Sequence, residues 1–176
     1  PAESVLETSL SNIGSMFHPT PILLNIGRIE NDNRGYRYYW DGITPSVAKL
    51  IERLDSERLK VGEAYGIKLL SAYECYEVKG DSLYERLQNN TAYGEIKAPT
   101  TIQARYMTED VPMGLVPIAA LGKAAGVETP IIDAVITLAS SIYDKDFRSE
   151  GRSLKNLGLE GLAKEQITEF FATGEK

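Results

Sequence analysis

Apolar residues recur at helical spacing along almost the whole chain, and prolines mark several of the helix starts. The clearest case begins at Thr129-Pro130, where proline suits the first helical turn because its missing N–H would be unbonded there anyway. This segment is apolar nearly all round, through Ile131, Ile132, Val135, Ile136, Leu138, Ala139 and Ile142. We therefore expect it to be the central, most buried helix of an all-α, bundle-like domain.

The same spacing predicts further helices. The longest begins at Thr44-Pro45, with Thr44 as its N-cap, and ends at Gly66; Thr129 is interpreted as the cap of the apolar helix. Turn residues and aromatics between Glu30 and Gly42 predict a loop or short hairpin, and residues 89–101 a loop. Other helices are predicted over residues 4–16, from Pro19 or Pro21 to Arg28, near 68–78, 82–88, from 110–117 to 126, and over 162–171.

Composition excludes several functions. A chain of 176 residues is expected to form a single helical domain over residues 1–176. Its net charge of −6 is spread among alternating acidic and basic residues, which argues against nucleic acid as a partner, and the chain lacks the run of about 20 apolar residues that a membrane span needs. The one cysteine, Cys75, lies among carboxylates, which argues against a catalytic thiolate or a cysteine zinc site and fits a reducing, cytoplasmic compartment.

His18 is the only histidine of the chain, in Phe17-His18-Pro19-Thr20-Pro21. Histidine is the one side chain that ordinarily changes charge near neutral pH, so proton chemistry is first sought here. The alternative is a half-buried ring that is hydrogen-bonded to the backbone. Both interpretations stay open on this pattern.

A second candidate site is the segment from Arg105 to Pro112, where charges and hydroxyls precede a helix. Asp110 is either the N-cap of that helix or the carboxylate that orients the His18 ring. Arg105 either binds a substrate carboxylate with its planar fork or is a surface arginine. Because His18 and Asp110 lie 92 positions apart (110 − 18), spacing alone does not join them.

Two further groups have open interpretations. The aromatics Tyr36, Tyr38, Tyr39 and Trp40 either wall a substrate cleft or pack over a helix. Arg148 and Arg152 bracket Glu150, which suggests an ion-pair cluster, with docking of a cofactor domain as the alternative.

Six spaced blocks stand out in order along the chain: Phe17-His18-Pro19-Thr20-Pro21-Ile22-Leu23-Leu24-Asn25-Ile26-Gly27-Arg28-Ile29-Glu30, Gly42-Ile43-Thr44-Pro45-Ser46-Val47, Arg105-Tyr106-Met107-Thr108-Glu109-Asp110-Val111-Pro112, Gly114-Leu115-Val116-Pro117, Thr129-Pro130-Ile131-Ile132-Asp133 and Asp146-Phe147-Arg148-Ser149-Glu150-Gly151-Arg152. Together they resemble the C-terminal helical domain of the NAD(P)-dependent opine dehydrogenases, which include octopine dehydrogenase. The helical architecture is also similar to that of 6-phosphogluconate dehydrogenases.

The resemblance implies an oxidoreductase that condenses an amino acid with a 2-oxo acid and reduces the resulting imine. It implies that His18 is the catalytic proton donor, that Asp110 is its partner and that Arg105 binds a substrate carboxylate. The NAD(P)H cofactor would be bound by an N-terminal Rossmann domain of the same polypeptide. This chain would then be the catalytic half of the enzyme, and a homodimer is one expected assembly.

Two hypotheses from other classes remain beside this one. The chain could be a helical dimerisation or interaction domain, with the helix from Pro130 to Ile142 facing a partner, and its size in solution discriminates that case. It could instead be a ligand-binding module without chemistry. Amino acids or 2-oxo acids would then raise its melting temperature, since a ligand that binds only the folded state stabilises it.

The chain contains no Gly-x-Gly-x-x-Gly fingerprint between a strand and a helix. We therefore predict that the isolated chain neither binds NAD(P)H tightly nor turns over. The test measures NADH oxidation with pyruvate and an amino acid, and a normal turnover rate would contradict the prediction.

Overall fold

All regular secondary structure is helical in residues 2–31 and 34–174, the part of the chain that the computed structural model describes. This confirms the all-α fold class. The helices are α1 (Val5–Leu10), α2 (Gly14–Phe17), α3 (Pro19–Leu24), α4 (Ile26–Asn31), α5 (Tyr38–Gly42), α6 (Pro45–Ala64), α7 (Leu83–Asn89), α8 (Arg105–Thr108), α9 (Val116–Ala124), α10 (Pro130–Tyr143), α11 (Phe147–Glu150) and α12 (Lys164–Thr173), with a 3₁₀ turn at Thr91–Tyr93 and a π-helical turn at Val111–Leu115.

Helix α6 is the central element, because α1, α2, α3, α7, α9 and α10 all pack against it. Its 20 residues form a rod of about 30 Å, long enough to reach every layer of the domain. Thr44 caps its start by accepting a hydrogen bond from the Val47 N–H, as predicted. Ile51, Leu54 and Val61 are fully buried along it.

Helix α6 also buries a charged network. The Arg58 guanidinium, which is 1% exposed, donates to the Asp55 carboxylate and to the backbone carbonyls of Leu10 and Leu70, at 2.6–2.7 Å. Asp55 in turn accepts from the Ala72 N–H. Since a buried charge is costly unless it is paired, these bonds join the end of α1 and the chain after α6 to the central helix.

The apolar helix α10 has the predicted bounds, but the prediction that it is central and buried nearly all round is wrong. Leu138 is 55% exposed and Ile142 is 43% exposed, while Ile132 and Ile136 on the opposite face are fully buried. Helix α10 packs against the domain on one side only, because the central place is taken by α6.

Thr129 does not cap α10. The free N–H groups of Ile131 and Ile132 donate instead to the buried carboxylate of Glu57, a residue of α6. A carboxylate at a helix N-terminus satisfies the unbonded N–H groups and suits the helix dipole. The cap is therefore supplied by tertiary structure, from 74 positions away.

Asparagines break two predicted helices into pairs. Asn12 accepts from the Gly14 N–H, where the helix predicted over 4–16 divides into α1 and α2. Asn25 donates to the carbonyls of Pro21 and Gly42, where α3 ends and α4 begins. Such side-chain bonds compete with the regular helical pattern. The short α2 and α3 that result meet at His18.

Two loop segments differ from expectation. The segment 68–78, predicted as helical, forms turns. Tyr38, Tyr39 and Trp40 lie in the helix α5 rather than in a loop or short hairpin. Arg37 makes an isolated bridge with Lys97, far along the chain. Asp32 and Asn33 of this region lie outside the described residues. The predicted helix at 82–88 is confirmed as α7.

Within residues 2–31 and 34–174, no helix combines the length and the apolar character that crossing a membrane requires.

The buried network on α6 predicts a strong and selective effect on stability. Arg58→Ala leaves the Asp55 carboxylate and two carbonyls unpaired in the core, so we expect the free energy of unfolding to fall by about 3–5 kcal/mol. Urea unfolding of the chain measures this. The control is Arg53→Ala on the exposed face of α6, for which we expect a change within about 0.5 kcal/mol. Equal effects of the two variants would refute the structural role of Arg58.

Candidate active site

His18 and Asp110 are in direct contact. The Nδ1 atom of His18 lies 2.9 Å from Oδ2 of Asp110, and the two side chains are 22% and 15% exposed. Since an ionised carboxylate only accepts hydrogen bonds, Nδ1 carries the proton in this pair. The Nε2 atom makes no hydrogen bond with any residue of the described part of the chain, so it is the nitrogen left to exchange a proton with a ligand.

Helix geometry places His18 at a corner. It is both the C-cap of α2 and the N-cap of α3, in which Pro19 occupies the first helical position. Pro19 does not donate a backbone N–H, so it begins α3 without leaving a donor unbonded. This corner brings the His18 ring to the edge of the domain, while the backbone of His18 is held between α2 and α3.

Two tyrosines fix the ring and its backbone. Tyr106 stacks on the His18 ring, with centroids 4.0 Å apart and planes 9° apart. The hydroxyl of the fully buried Tyr38 donates to the carbonyls of His18 and Phe17, at 2.7 and 3.1 Å. Burial raises the pKa of Tyr38 well above its usual value, so this hydroxyl stays protonated and continues to donate.

Asp110 directly precedes the π-helical turn Val111–Leu115. The interpretation of Asp110 as a helix cap is wrong, because its side chain makes no capping bond and is directed to His18 instead. The turn approaches α2 closely: a Cβ on Gly114 would lie 2.6 Å from the Cβ of Ser15. Single π-helical turns are common at functional sites. Here one aligns the carboxylate with a ring that lies 92 positions away.

Asp110 lines a polar cavity of about 290 Å³. Gly14 leaves room beside the pair, because a Cβ there would lie 3.3 Å from both Asp110 Oδ1 and His18 Cε1. The cavity is lined by Asn12, Glu109, Asp110, Met113, Gly114 and Arg152.

Arg105 is not in contact with the pair. Its side chain is 83% exposed, and its Nε and Nη2 donate to the two carboxylate oxygens of Glu109 at 2.7 and 3.0 Å. These bonds lower the pKa of Glu109 below its usual value, and Glu109 in turn raises the pKa of Arg105. The structure thus brings His18 and Asp110 together and places Arg105 on the adjoining turn, α8.

The aromatic group packs within the domain, with Tyr36, Tyr38 and Tyr39 buried in its core. Trp40 packs over α7 and donates to the Leu87 carbonyl, and Tyr39 stacks on Tyr93. Tyr38 instead supports the histidine. Sequence reasoning missed this role and that of Tyr106. The available signal was that Tyr106 lies in the same block as Asp110, about one helical turn before it.

The described residues include no cluster of three or more histidine, cysteine or acidic side chains that could hold a metal ion. Partial burial and the nearby carboxylates of Asp55 and Glu74 raise the pKa of the Cys75 thiol, whereas Arg58 lowers it. This agrees with the argument against a catalytic thiolate. The described part of the chain also contains no strand–helix–strand unit, the element that holds a dinucleotide in Rossmann domains.

The helical fold agrees with the comparisons with known proteins. Residues 1–143 match the family described as NAD/NADP octopine/nopaline dehydrogenase, alpha-helical domain. The chain therefore belongs to this family. An opine dehydrogenase of Arthrobacter sp. (strain 1C) is 48% identical over 164 residues, which cover 91% of this chain and 45% of that protein. The vitopine synthase of Allorhizobium ampelinum is 28% identical over 155 residues, covering 86% and 43%.

Solved structures share the fold. Octopine dehydrogenase with NADH and agmatine has a TM-score of 0.77 at 22% identity, and octopine dehydrogenase with NADH and pyruvate has a TM-score of 0.75 at 24% identity. Each covers 99% of this chain, whereas the chain covers 50% and 49% of those proteins. The chain thus spans about half the length of the relatives that it matches.

The geometry of the pair predicts the tautomer of the His18 ring. Its NMR signals need no residue-specific assignment, since His18 is the only histidine. We expect the neutral ring to carry its proton on Nδ1, because that atom faces the Asp110 carboxylate. Long-range ¹H–¹⁵N NMR of the chain, at a pH where the ring is neutral, reports the tautomer. In Asp110→Ala this bias should be lost. A ring protonated on Nε2 in the unmodified chain would contradict the contact.

Proposed function

We propose that this chain is the substrate-binding and catalytic half of an opine dehydrogenase, a single helical domain over residues 1–176. The enzyme would reductively condense an amino acid with a 2-oxo acid. The observation that carries the proposal is the His18–Asp110 pair, in which the ring is bonded to the carboxylate through Nδ1 and the carboxylate lines a polar cavity. An orienting carboxylate on one nitrogen and a free second nitrogen is the arrangement that general acid–base catalysis needs.

His18 would move the proton of the condensation. When the amino group adds to the 2-oxo acid carbonyl, a carbinolamine forms, and its oxygen must take up a proton to leave as water. The Nε2–H of a protonated His18 would donate that proton, and the neutral ring would accept one in the reverse direction. Asp110 would hold the ring in the productive orientation and stabilise its positive charge.

Arg105 would bind the carboxylate of the 2-oxo acid. The contact of Arg105 with Glu109 has the same bidentate geometry, because both oxygens of the Glu109 carboxylate accept from the guanidinium. The side chain is exposed, so a substrate carboxylate can compete for the same donors. An exposed pair of this kind has a small net free energy, so exchanging one carboxylate for another costs little.

The reduction would need NAD(P)H held by a Rossmann domain that precedes this one in the same polypeptide. Support comes from relatives about twice as long as the chain and from the NADH in the complexes of octopine dehydrogenase. The isolated chain would then be inactive. A cytoplasmic location also remains a proposal.

A homodimer stays a prediction. The observation that favours it is an apolar stripe on α10, where Leu138 and Ile142 lie one helical turn apart and are both exposed. A partner on this stripe is compatible with catalysis.

The proposed role of His18 predicts a large kinetic effect with little effect on folding. In the full-length enzyme, His18→Asn should lower turnover about 10²–10⁴-fold, because the proton donor is lost. Steady-state NADH oxidation measures the rate, and thermal unfolding serves as the control for folding. If the variant kept near-normal turnover, the catalytic assignment would be wrong.

A further inference from the structure

The cavity beside Asp110 combines charges of both signs. Two acidic residues, Glu109 and Asp110, and one arginine, Arg152, line the same space of about 290 Å³. A space of this size suits a small metabolite. A free α-amino acid carries an ammonium and a carboxylate, whereas a 2-oxo acid carries only the carboxylate. The mixed lining therefore matches the charges of an amino acid better than the single charge of a 2-oxo acid.

Arg152 is anchored to the segment that follows Asp110. Its backbone N–H donates to the Pro112 carbonyl at 2.9 Å. The preceding residue, Gly151, lies so close to the π-helical turn that a Cβ would be 2.5 Å from the same carbonyl oxygen. Asn156 holds Gly151 from the other side by donating to its carbonyl. The position of the Arg152 backbone relative to Asp110 is thus fixed, as a preorganised ligand site requires.

The guanidinium of Arg152 is free. It makes no hydrogen bond or ion pair with residues of the described ranges, so the ion-pair cluster expected around Glu150 is wrong for this arginine. Arg148 pairs with Asp133 instead. Both carboxylates of the cavity have other partners, since Glu109 pairs with Arg105 and Asp110 bonds to His18. Among the residues that line the cavity, Arg152 is therefore the cation without an anionic partner in the described part of the chain.

We propose that Arg152 binds the carboxylate of the amino-acid substrate, with the Glu109 and Asp110 carboxylates facing its ammonium. This inference rests on the proposed function and deepens it, because it assigns one guanidinium to each of the two substrate carboxylates. Arg105 takes that of the 2-oxo acid, and Arg152 takes that of the amino acid. The planar fork of arginine suits bidentate binding of a carboxylate.

The test is Arg152→Gln in the full-length enzyme, with Arg148→Gln as the matched control. Arg148 lies in the same segment and outside this cavity, so its loss should leave the kinetics unchanged. Steady-state kinetics are measured with pyruvate and with L-alanine, L-norvaline or L-arginine. For Arg152→Gln we expect the KM of the amino acid to rise at least about tenfold, while the KM of pyruvate stays within about twofold.

A second readout addresses the carboxylate itself. The unmodified enzyme should prefer L-arginine to agmatine, which lacks the carboxylate, and Arg152→Gln should lose most of that preference. A merely structural role would lower the melting temperature and weaken both substrates together. An unchanged amino-acid KM, or a change confined to pyruvate, would overturn the inference.

Binding without turnover separates this inference from the proposed function. Calorimetric titration of the full-length protein with the same amino acids needs no reaction. Weaker binding in Arg152→Gln than in Arg148→Gln supports the site even if His18 proves not to be catalytic. Equal binding by the two variants refutes the site even if His18 is catalytic.

Discussion

The close packing of the π-helical turn Val111–Leu115 is the constraint on which the candidate site depends. On one side, Gly114 lies against Ser15 of α2, and on the other, Gly151 lies against Pro112. A larger side chain at either glycine would force the backbones apart. Because α2 delivers His18 and the turn follows Asp110, this packing sets the 2.9 Å contact between ring and carboxylate. It also places Arg152 on the same cavity.

The scaffold behind the site is held by buried charges on α6 as well as by apolar packing. Arg58 joins α1 to the chain after α6, and Glu57 caps α10. Each of these charges is satisfied by specific partners, so each favours one arrangement of helices over others that would bury the same apolar area. The short helices around His18 are thereby attached to a rigid centre, which suits a site that must keep its geometry.

The distribution of charge around the site follows a simple chemical logic. In the proposed reaction, an amino acid and a 2-oxo acid would bring two carboxylates together, and cations would have to offset their repulsion. Arg105 and Arg152 lie on different segments near Asp110, so each would hold one substrate. Tyr38 and Tyr106 hold His18, the proposed proton donor, by contacts within the domain.

The sequence by itself determined the fold class, the long helix α6 and the identity of the one histidine that could move a proton. Helical spacing and proline placement are local properties, so they can be read without knowing the fold. The resemblance to opine dehydrogenases also named Asp110 as its partner, although spacing could not. The local pattern did not predict which face of α10 is buried, because packing against other helices decides this. The helix is apolar nearly all round, yet Leu138 remains exposed.

Only the tertiary structure decided which distant groups meet. The cap of α10 comes from Glu57, the ring of His18 stacks on Tyr106, and Arg152 rather than Arg105 lines the cavity beside Asp110. Apart from the place of Tyr106 in the block of Asp110, local spacing gives no signal for these contacts, because they form between segments separated by tens of residues. Their physical reason is the satisfaction of buried charges and N–H groups, which depends on where the helices pack.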